Sequence, residues 1–126
     1  MRTLVAVLTL FVLFGCATVG ELAPGSGSTF EVRGKSYDEI WRASVRAMSN
    51  GLTIVESDRT SGVIKSEARA GIATWGEVVG LFVTPTTAVS STYTVEVVSK
   101  KRIQTQITGQ NWTPSVIANV KAELGI

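Results

Sequence analysis

The order of the structural elements is decided by residues 36–68, which read SYDEIWRASVRAMSNGLTIVESDRTSGVIKSEA. The first half of this stretch repeats apolar side chains at the i, i+3, i+4 spacing of a helix that buries one face. Ser36 is a suitable N-cap because Glu39 follows three residues later, as in a capping box. Asn50-Gly51 supplies a left-handed stop. We therefore expect a helix whose buried face carries Tyr37, Ile40, Trp41, Ser44, Ala47 and Met48.

After this helix the apolar side chains alternate with polar ones, which is typical of strands that bury one face. Residues 52–57 and 63–68 form two such segments. The loop between them begins with Asp58 and ends with Gly62, a composition that suits a hairpin. We therefore expect the two segments to pair as neighbouring antiparallel strands.

Other segments also have the composition of strands. Residues 29–33, 93–97 and 103–107 are of this kind, and the basic run 100–102 is expected at the tip of a hairpin between the last two. A longer segment, residues 73–84, contains Gly76 and Gly80. Glycine inside a strand often marks a bulge or a close approach of another chain segment.

A second helix is expected near the end of the sequence. Thr113 is a suitable N-cap and Pro114 a suitable first residue, because the N–H group that proline lacks has no partner at that position. Gly125 provides the stop, and the apolar residues between follow helical spacing: Val116, Ile117, Val120 and Leu124. The order β-α-β-β-β-β-β-α predicts an α+β domain with an antiparallel sheet and two helices packed on one face.

The amino terminus is organised like a bacterial secretory signal. Arg2 gives a positively charged start, and residues 4–14 are almost entirely apolar. The segment ends in LFGC, residues 13–16, which resembles the lipobox of bacterial lipoproteins, with Phe14 bulkier than the residue usual there. The resemblance implies cleavage before Cys16, a diacylglyceryl thioether on its sulfur and acylation of the new amino terminus.

Two other interpretations of the first 16 residues remain open. A retained transmembrane anchor needs ~20 apolar residues, nearly twice the length of this run. A cleaved but unlipidated signal leaves a lone thiol, which secreted domains seldom carry unless it pairs or is modified. A lipidated Cys16 is therefore the expectation.

These signals divide the chain into three parts. Residues 1–15 are the expected signal peptide, and residues 16–28 are the lipidated cysteine with a Gly/Ser-rich tether that is expected to be flexible. Residues 29–126 form a single periplasmic domain, large enough for one modest core. Ala17 after the cysteine resembles lipoproteins that Gram-negative bacteria sort to the outer membrane. The resemblance implies a location on the periplasmic face of that membrane.

Composition excludes several kinds of chemistry. The chain has no histidine and a single cysteine, which removes the commonest general base and the commonest transition-metal ligands. Without Arg2, eleven basic residues stand against ten acidic ones (12 − 1 against 10), a balance too even to recruit nucleic acid. We therefore predict no enzyme activity, no catalytic residue, no metal site and no cofactor.

A hydrolase that uses carboxylates is the weakest functional hypothesis. Glu56, Asp58, Glu67 and Glu77 are the acids available to it, and Glu56 and Glu67 are expected on adjacent strands. The sequence shows neither a cleft nor separated pKa values for any pair of them, and such chemistry needs both. Exposed carboxylates on strands are the simpler interpretation.

The segment around Trp75 is the candidate for binding a partner. Trp75 stands among glycines and precedes an apolar run that includes Val79 and Phe82. Such a run can form an exposed edge or groove, where tryptophan is a common anchor for a protein partner. The alternative is that Trp75 completes the core, as we expect for Trp41 on the helix stripe.

Two resemblances to lipoproteins rest on these elements. YDEIW at 37–41 with LTIVE at 52–56, Asp58 and GVI at 62–64 resembles a motif of small bacterial lipoproteins, in which a helix precedes a hairpin. The segment order over about residues 29–126 is similar to the helix-grip domain of the lipoprotein subunit in the outer-membrane barrel-assembly machinery. The resemblance implies a helix-grip-like fold and transfers no site residue.

The leading functional hypothesis is a non-enzymatic periplasmic domain, attached to the membrane through its lipid, that binds an envelope protein or supports an envelope assembly. The alternative is a binder of lipid or another apolar ligand, held between the long helix and the sheet. An enclosed apolar cavity under Trp41 and Met48 is the feature expected of that alternative.

Overall fold

The computed structural model describes residues 19–69, 76–86, 91–102 and 110–126. A short 3-10 helix, Val19–Glu21, comes first. The strands and helices of the described residues are then β1 (Ser28–Arg33), α1 (Tyr37–Met48), β2 (Thr53–Asp58), β3 (Val63–Glu67), β4 (Glu77–Pro85), β5 (Thr92–Lys101) and α2 (Thr113–Leu124). This order confirms the predicted α+β class. The strand predicted at 103–107 lies outside the described residues.

The strands form one antiparallel sheet in the order β1-β5-β4-β3-β2. β4 is the middle strand, and β1 and β2 are the two edges. Since β1 and β2 are consecutive in the chain but lie at opposite edges, α1 carries the chain across one face of the sheet. The hairpin predicted between β2 and β3 is confirmed, with the N–H of Gly62 donating to the carbonyl of Asp58.

The first helix begins as the sequence predicts. The hydroxyl of Ser36 accepts a hydrogen bond from the N–H of Glu39, and the Glu39 carboxylate accepts one from the N–H of Ser36. This reciprocal pair satisfies two N–H groups that have no partner inside the helix. The predicted stripe is buried, apart from Tyr37, which is partly buried at the edge of the core.

The hairpin loop is stabilised by the carboxylate of Asp58. Its Oδ1 accepts hydrogen bonds from the N–H groups of Thr60 and Ser61, at 3.0 and 3.3 Å. Hydrogen bonds from the Ser61 hydroxyl and from these N–H groups hold the pKa of Asp58 below its ordinary value. Because the folded state lowers this pKa, the contribution of Asp58 to stability is present above its ordinary pKa and is lost as the pH falls.

The main core lies between the sheet and the two helices. Its side chains come from every strand or the segments beside it and from both helices: Val32, Ile40, Trp41, Ala43, Ala47, Met48, Leu52, Ile64, Ala68, Val79, Leu81, Val83, Val95, Val97, Val116, Val120 and Leu124. Both helices therefore pack on one face of the sheet, as predicted. We call the opposite face the outer face.

The outer face carries a second, smaller apolar cluster. Val78 and Phe82 of β4 and Val98 of β5 are buried there, with Val63 partly buried beside them. Leu22, which precedes β1, completes the cluster with 3% of its surface exposed. The middle strand is thus covered on both faces, which explains why residues 78–83 carry no polar side chain.

The structure differs from the sequence predictions at two element boundaries. The run 100–102 is not the tip of a hairpin, because β5 continues to Lys101, which pairs with Glu77, while Lys100 pairs with Val78. The long β4 supplies hydrogen-bonding partners along this whole length.

The second helix takes Trp112 as its N-cap rather than Thr113. Asn111 supplies the side-chain oxygen there, accepting from the N–H of Thr113 at 3.1 Å.

Candidate functional site

Two of the three predicted partner-binding residues are not available to a partner. Val79 is fully buried in the main core, and Phe82, with 6% of its surface exposed, lies in the outer-face cluster. The prediction is wrong for both, because β4 is the middle strand and an apolar run there is covered from both sides. The third residue, Trp75, lies outside the described residues.

The outer face instead holds the segment that leads into the domain. We call residues 19–28 the strap, because they run across the outer face from the middle strand to the edge strand β1. Leu22 packs over β4 at Gly80. A Cβ atom at Gly80 would lie 3.1 Å from the Phe82 ring and 3.4 Å from the Cβ of Leu22. The absence of a side chain at Gly80 therefore allows Leu22 to approach β4 closely, which is one of the two roles expected for a glycine inside this strand.

A buried carboxylate holds the second half of the strap. Glu96 on β5 has 8% of its surface exposed, and both of its oxygens lie 2.9 Å from the N–H nitrogen of Gly25. The N–H of Gly27 donates to Oε2 at 2.8 Å. Hydrogen bonds from N–H groups to a charged carboxylate are stronger than neutral ones and offset the cost of burying the charge. We call this arrangement the Glu96 clamp.

Close packing also limits the residue at position 27. A Cβ atom on Gly27 would lie 2.3 Å from the carbonyl oxygen of Val97 and 2.7 Å from a methyl carbon of Val98. A substitution there would have to move the strap away from β5. Gly27 therefore serves a close approach between two backbone segments, and its presence does not indicate flexibility.

The described part of the expected tether, residues 16–28, thus differs from the flexible segment predicted from its composition. Residues 19–28 are held by Leu22 at one end and by the Glu96 clamp at the other. The pairing of Ser28 with Val97 then begins β1. The glycine and serine content of this segment indicates flexibility. The hydrogen bonds that hold Gly25 and Gly27 come from Glu96 on β5, which lies 71 and 69 residues further along the chain. Leu22, a large apolar residue among small ones, was the one available signal.

The helical face carries a charged groove of about 210 Å³. Lys35, Arg42 and Arg46 line it, together with Glu39 and Glu123. Arg46 links the two helices through an ion pair with Glu123 at 2.8 Å. Because these side chains are exposed, each such pair contributes only ~0–1 kcal/mol to stability. The groove is polar and open, which suits a solvated surface better than an apolar ligand.

Further ion pairs fix the β2–β3 hairpin to α1. Asp38 accepts from Arg42 within the helix at 2.9 Å and from Arg59 in the hairpin loop at 2.8 Å. The Tyr37 hydroxyl donates to the carbonyl of Arg59. Burial raises the pKa of Tyr37 above its ordinary value, and the Arg59 charge opposes that rise. These contacts give the cluster a structural role.

A second groove, of about 340 Å³, lies beside the strap. Ser26, Gly27 and Ser28 form one side, and residues 97–100 of β5 form its floor. Asn111 and Thr113 at the start of α2 form the other side. The hydroxyl of Ser99 accepts a hydrogen bond from the N–H of Trp112 at 3.1 Å, which ties the start of α2 to β5.

The four candidate carboxylates do not meet at one place. Glu56 pairs with Lys65 at 3.4 Å, and Glu67 pairs with Arg102 at 3.1 Å. Asp58 stabilises its loop, and Glu77 accepts from the N–H of Gln110 at 2.8 Å. Glu77 is 3% exposed, so the expectation of an exposed strand carboxylate is wrong for this residue. Among the described residues, no group of three or more His, Cys, Asp or Glu is arranged to hold a metal ion.

The residues under the long helix that were singled out for an apolar cavity are buried in the core. Trp41 is 7% exposed and Met48 is fully buried, and both belong to the main core. Neither Trp41 nor Met48 lines either of the two grooves described above. A binder of an apolar ligand between helix and sheet stays a prediction.

No protein-family model matches this chain, and no curated protein matches it. Within the described residues, neither helix has the length and hydropathy needed to cross a bilayer. The geometry and the amino-terminal motif therefore carry the functional argument alone.

Proposed function

We propose that this chain is a lipoprotein of the bacterial outer membrane, anchored through Cys16 on the periplasmic face, whose domain has a non-enzymatic role. That role is to bind an envelope protein or to support an envelope assembly. The observation that carries the proposal is the LFGC motif at residues 13–16, which follows an apolar run too short to span a bilayer.

The contacts on the outer face are consistent with this proposal. A purely flexible linker needs no seat on the domain, whereas the strap buries Leu22 and satisfies the Glu96 carboxylate. The candidate carboxylates are engaged in ion pairs and backbone hydrogen bonds on separate elements. These partners support a structural role for the acids.

Removal of the cysteine thiol tests the anchor. We expect Cys16→Ser to give uncleaved precursor that is not labelled by radioactive palmitate. Each buried methylene contributes ~0.8 kcal/mol, so several acyl chains make membrane attachment effectively permanent. The measurement is palmitate incorporation and the mass of the protein recovered from envelopes. Ser26→Ala, an exposed change in the strap, is the matched control and should be lipidated normally. Normal lipidation of Cys16→Ser would refute the site.

Substitution of Trp75 tests whether the domain binds a partner protein. We expect Trp75→Ala to weaken the capture of envelope proteins by the lipidated chain, since interface tryptophans often contribute ~2 kcal/mol or more to binding. Its effect on fold stability should be smaller than that of Trp41→Ala. Cross-linking in intact envelopes followed by mass spectrometry measures capture, and thermal unfolding measures stability. If Trp75→Ala unfolds the domain as severely as Trp41→Ala, Trp75 is a core residue and not a binding residue.

A further inference from the structure

The strap fixes where an anchor on Cys16 would leave the domain. Leu22 is seated over Gly80 of β4, the middle strand, and its contacts with Val78, Phe82 and Val98 bury it almost completely. The Glu96 clamp holds the strap again before it enters β1. The chain between Cys16 and the domain is therefore attached at the centre of the outer face and not at its edge.

The distance from the anchor to this seat is short. Six residue steps separate Cys16 from Leu22 (22 − 16), so at ~3.5 Å per residue their Cα atoms lie no more than ~21 Å apart. Two of the six steps lie within the 3-10 helix Val19–Glu21, which rises only ~2 Å per residue, so the limit falls to ~18 Å. This is less than the stand-off that a free tether of residues 16–28 would allow.

The short distance between Cys16 and Leu22 limits how the domain can rotate relative to the membrane. From the middle strand to either edge of the sheet is two strand spacings, roughly 10 Å. The helices add a further layer roughly 10 Å thick behind the sheet. The linker would therefore have to cover roughly 20 Å to reach the helix layer and more to reach its far side, whereas it spans at most ~18 Å. A linker of this length that leaves from the centre of the outer face cannot bring α1 and α2 onto the bilayer.

We propose that the strap orients the domain on the membrane, with the outer face of the sheet toward the lipid surface and the two helices directed away from it. This inference rests on the proposed lipidation of Cys16. The orientation follows from the seated Leu22, the Glu96 clamp and the short linker. The charged groove of Lys35, Arg42 and Arg46 then faces the periplasm, where a protein partner can reach it.

The orientation does not depend on attraction between the protein and lipid headgroups. Acidic residues are paired with basic ones on this side of the sheet: Glu31 with Arg33, and Glu56 with Lys65. We therefore expect the same orientation at low and at high salt, since a covalent tether is not screened.

The experiment uses the mature lipidated chain in vesicles of phosphatidylethanolamine and phosphatidylglycerol that contain a nitroxide-labelled headgroup lipid. Because Cys16 is the only cysteine and its thiol is blocked by lipid, a single introduced cysteine can carry a fluorophore. Thr84→Cys labels the outer face, since Thr84 is exposed and follows Val83 of the main core. Ala118→Cys labels the exposed side of α2. Mass spectrometry first establishes lipidation, so that failure of the proposed function is recognised separately.

We expect stronger quenching at Thr84→Cys than at Ala118→Cys. We expect this difference to become smaller in a Glu96→Gln background, where Leu22 keeps its seat, and to be lost when Leu22→Gln is added. The amide keeps the shape of the side chain but removes the charge that the Gly25 and Gly27 N–H groups bind. Glu31→Gln makes the same chemical change at an exposed position and should preserve the difference. Leu22→Gln is a second releasing variant that leaves Glu96 and the main core intact.

Two outcomes overturn the inference. Equal quenching at the two positions of the lipidated chain shows that the strap does not orient the domain, and it leaves the lipoprotein proposal standing. A difference that persists when Glu96→Gln and Leu22→Gln are combined shows that something other than the strap sets the orientation. Circular dichroism of each variant establishes that the domain is folded.

Discussion

Replacement of Trp41 by alanine is expected to lower the free energy of unfolding by about 3–5 kcal/mol, the range typical of large aromatic side chains removed from a core. Trp41 is 7% exposed and lies in the main core, and its ring stacks with that of Tyr37 at a centroid distance of 6.2 Å. The expected loss is a large share of the total stability of a domain this small. Denaturant unfolding of the soluble form that begins at Ala17 measures it.

Trp41→Phe is the matched control for this prediction. Phenylalanine keeps an aromatic ring against Tyr37 and leaves a smaller cavity, so we expect a clearly smaller loss than with alanine. A change in unfolding free energy below ~1 kcal/mol for Trp41→Ala would contradict the burial of this side chain, because such values are typical of surface substitutions.

Gly62→Ala is expected to destabilise the fold by about 2–5 kcal/mol. Gly62 has a φ angle of +73°, and a side chain in this conformation costs ~1–2 kcal/mol. A Cβ atom there would also lie 2.3 Å from the carbonyl oxygen of Val83, while the N–H of Val83 donates to the Gly62 carbonyl at 2.8 Å. Relief of that overlap has to move β3 or β4, and strain of this kind costs a further ~1–3 kcal/mol.

Gly34 offers a matched control, because its φ angle is also +73° but nothing lies within 4 Å of the position that a Cβ would take. Gly34→Ala should therefore lose only the ~1–2 kcal/mol that the backbone conformation costs. Thermal or denaturant unfolding of the two variants side by side isolates the contribution of the close approach. Equal losses of unfolding free energy in Gly62→Ala and Gly34→Ala would show that the backbone at Val83 moves aside without measurable strain.

Local elements could be predicted from the sequence because their signals are local. The capping box of Ser36 and Glu39 spans four residues, and the loop that starts at Asp58 spans five. The apolar stripe from Ile40 to Met48 indicates which side of α1 is buried. It does so without indicating which elements cover that side. For the same reason the α+β class followed from the order of the segments.

The candidate site could be predicted much less well. Val79 and Phe82 are expected from the sequence at an exposed edge or groove, because an apolar run has the same composition there as in a middle strand that is covered on both faces. The burial of Glu96 could not be predicted from its neighbours in the sequence. Glu96 lies in a strand where polar and apolar residues alternate, and an exposed acid would occupy the same kind of position. Its partners, Gly25 and Gly27, come from a segment whose composition indicates a flexible linker.

The sequence by itself therefore determined the helices, the first hairpin and the fold class, because hydrogen bonds and side-chain contacts within a few residues specify them. Only the tertiary structure decided that β4 is the middle strand, that Leu22 closes the outer face and that Glu96 clamps the strap. The last two depend on segments about 60 to 70 residues apart in the chain (80 − 22 = 58; 96 − 27 = 69), and so does the pairing of β1 with β5 that leaves β4 in the middle. No pattern within either segment encodes its distant partner, since contacts of this kind form only when the whole sheet assembles.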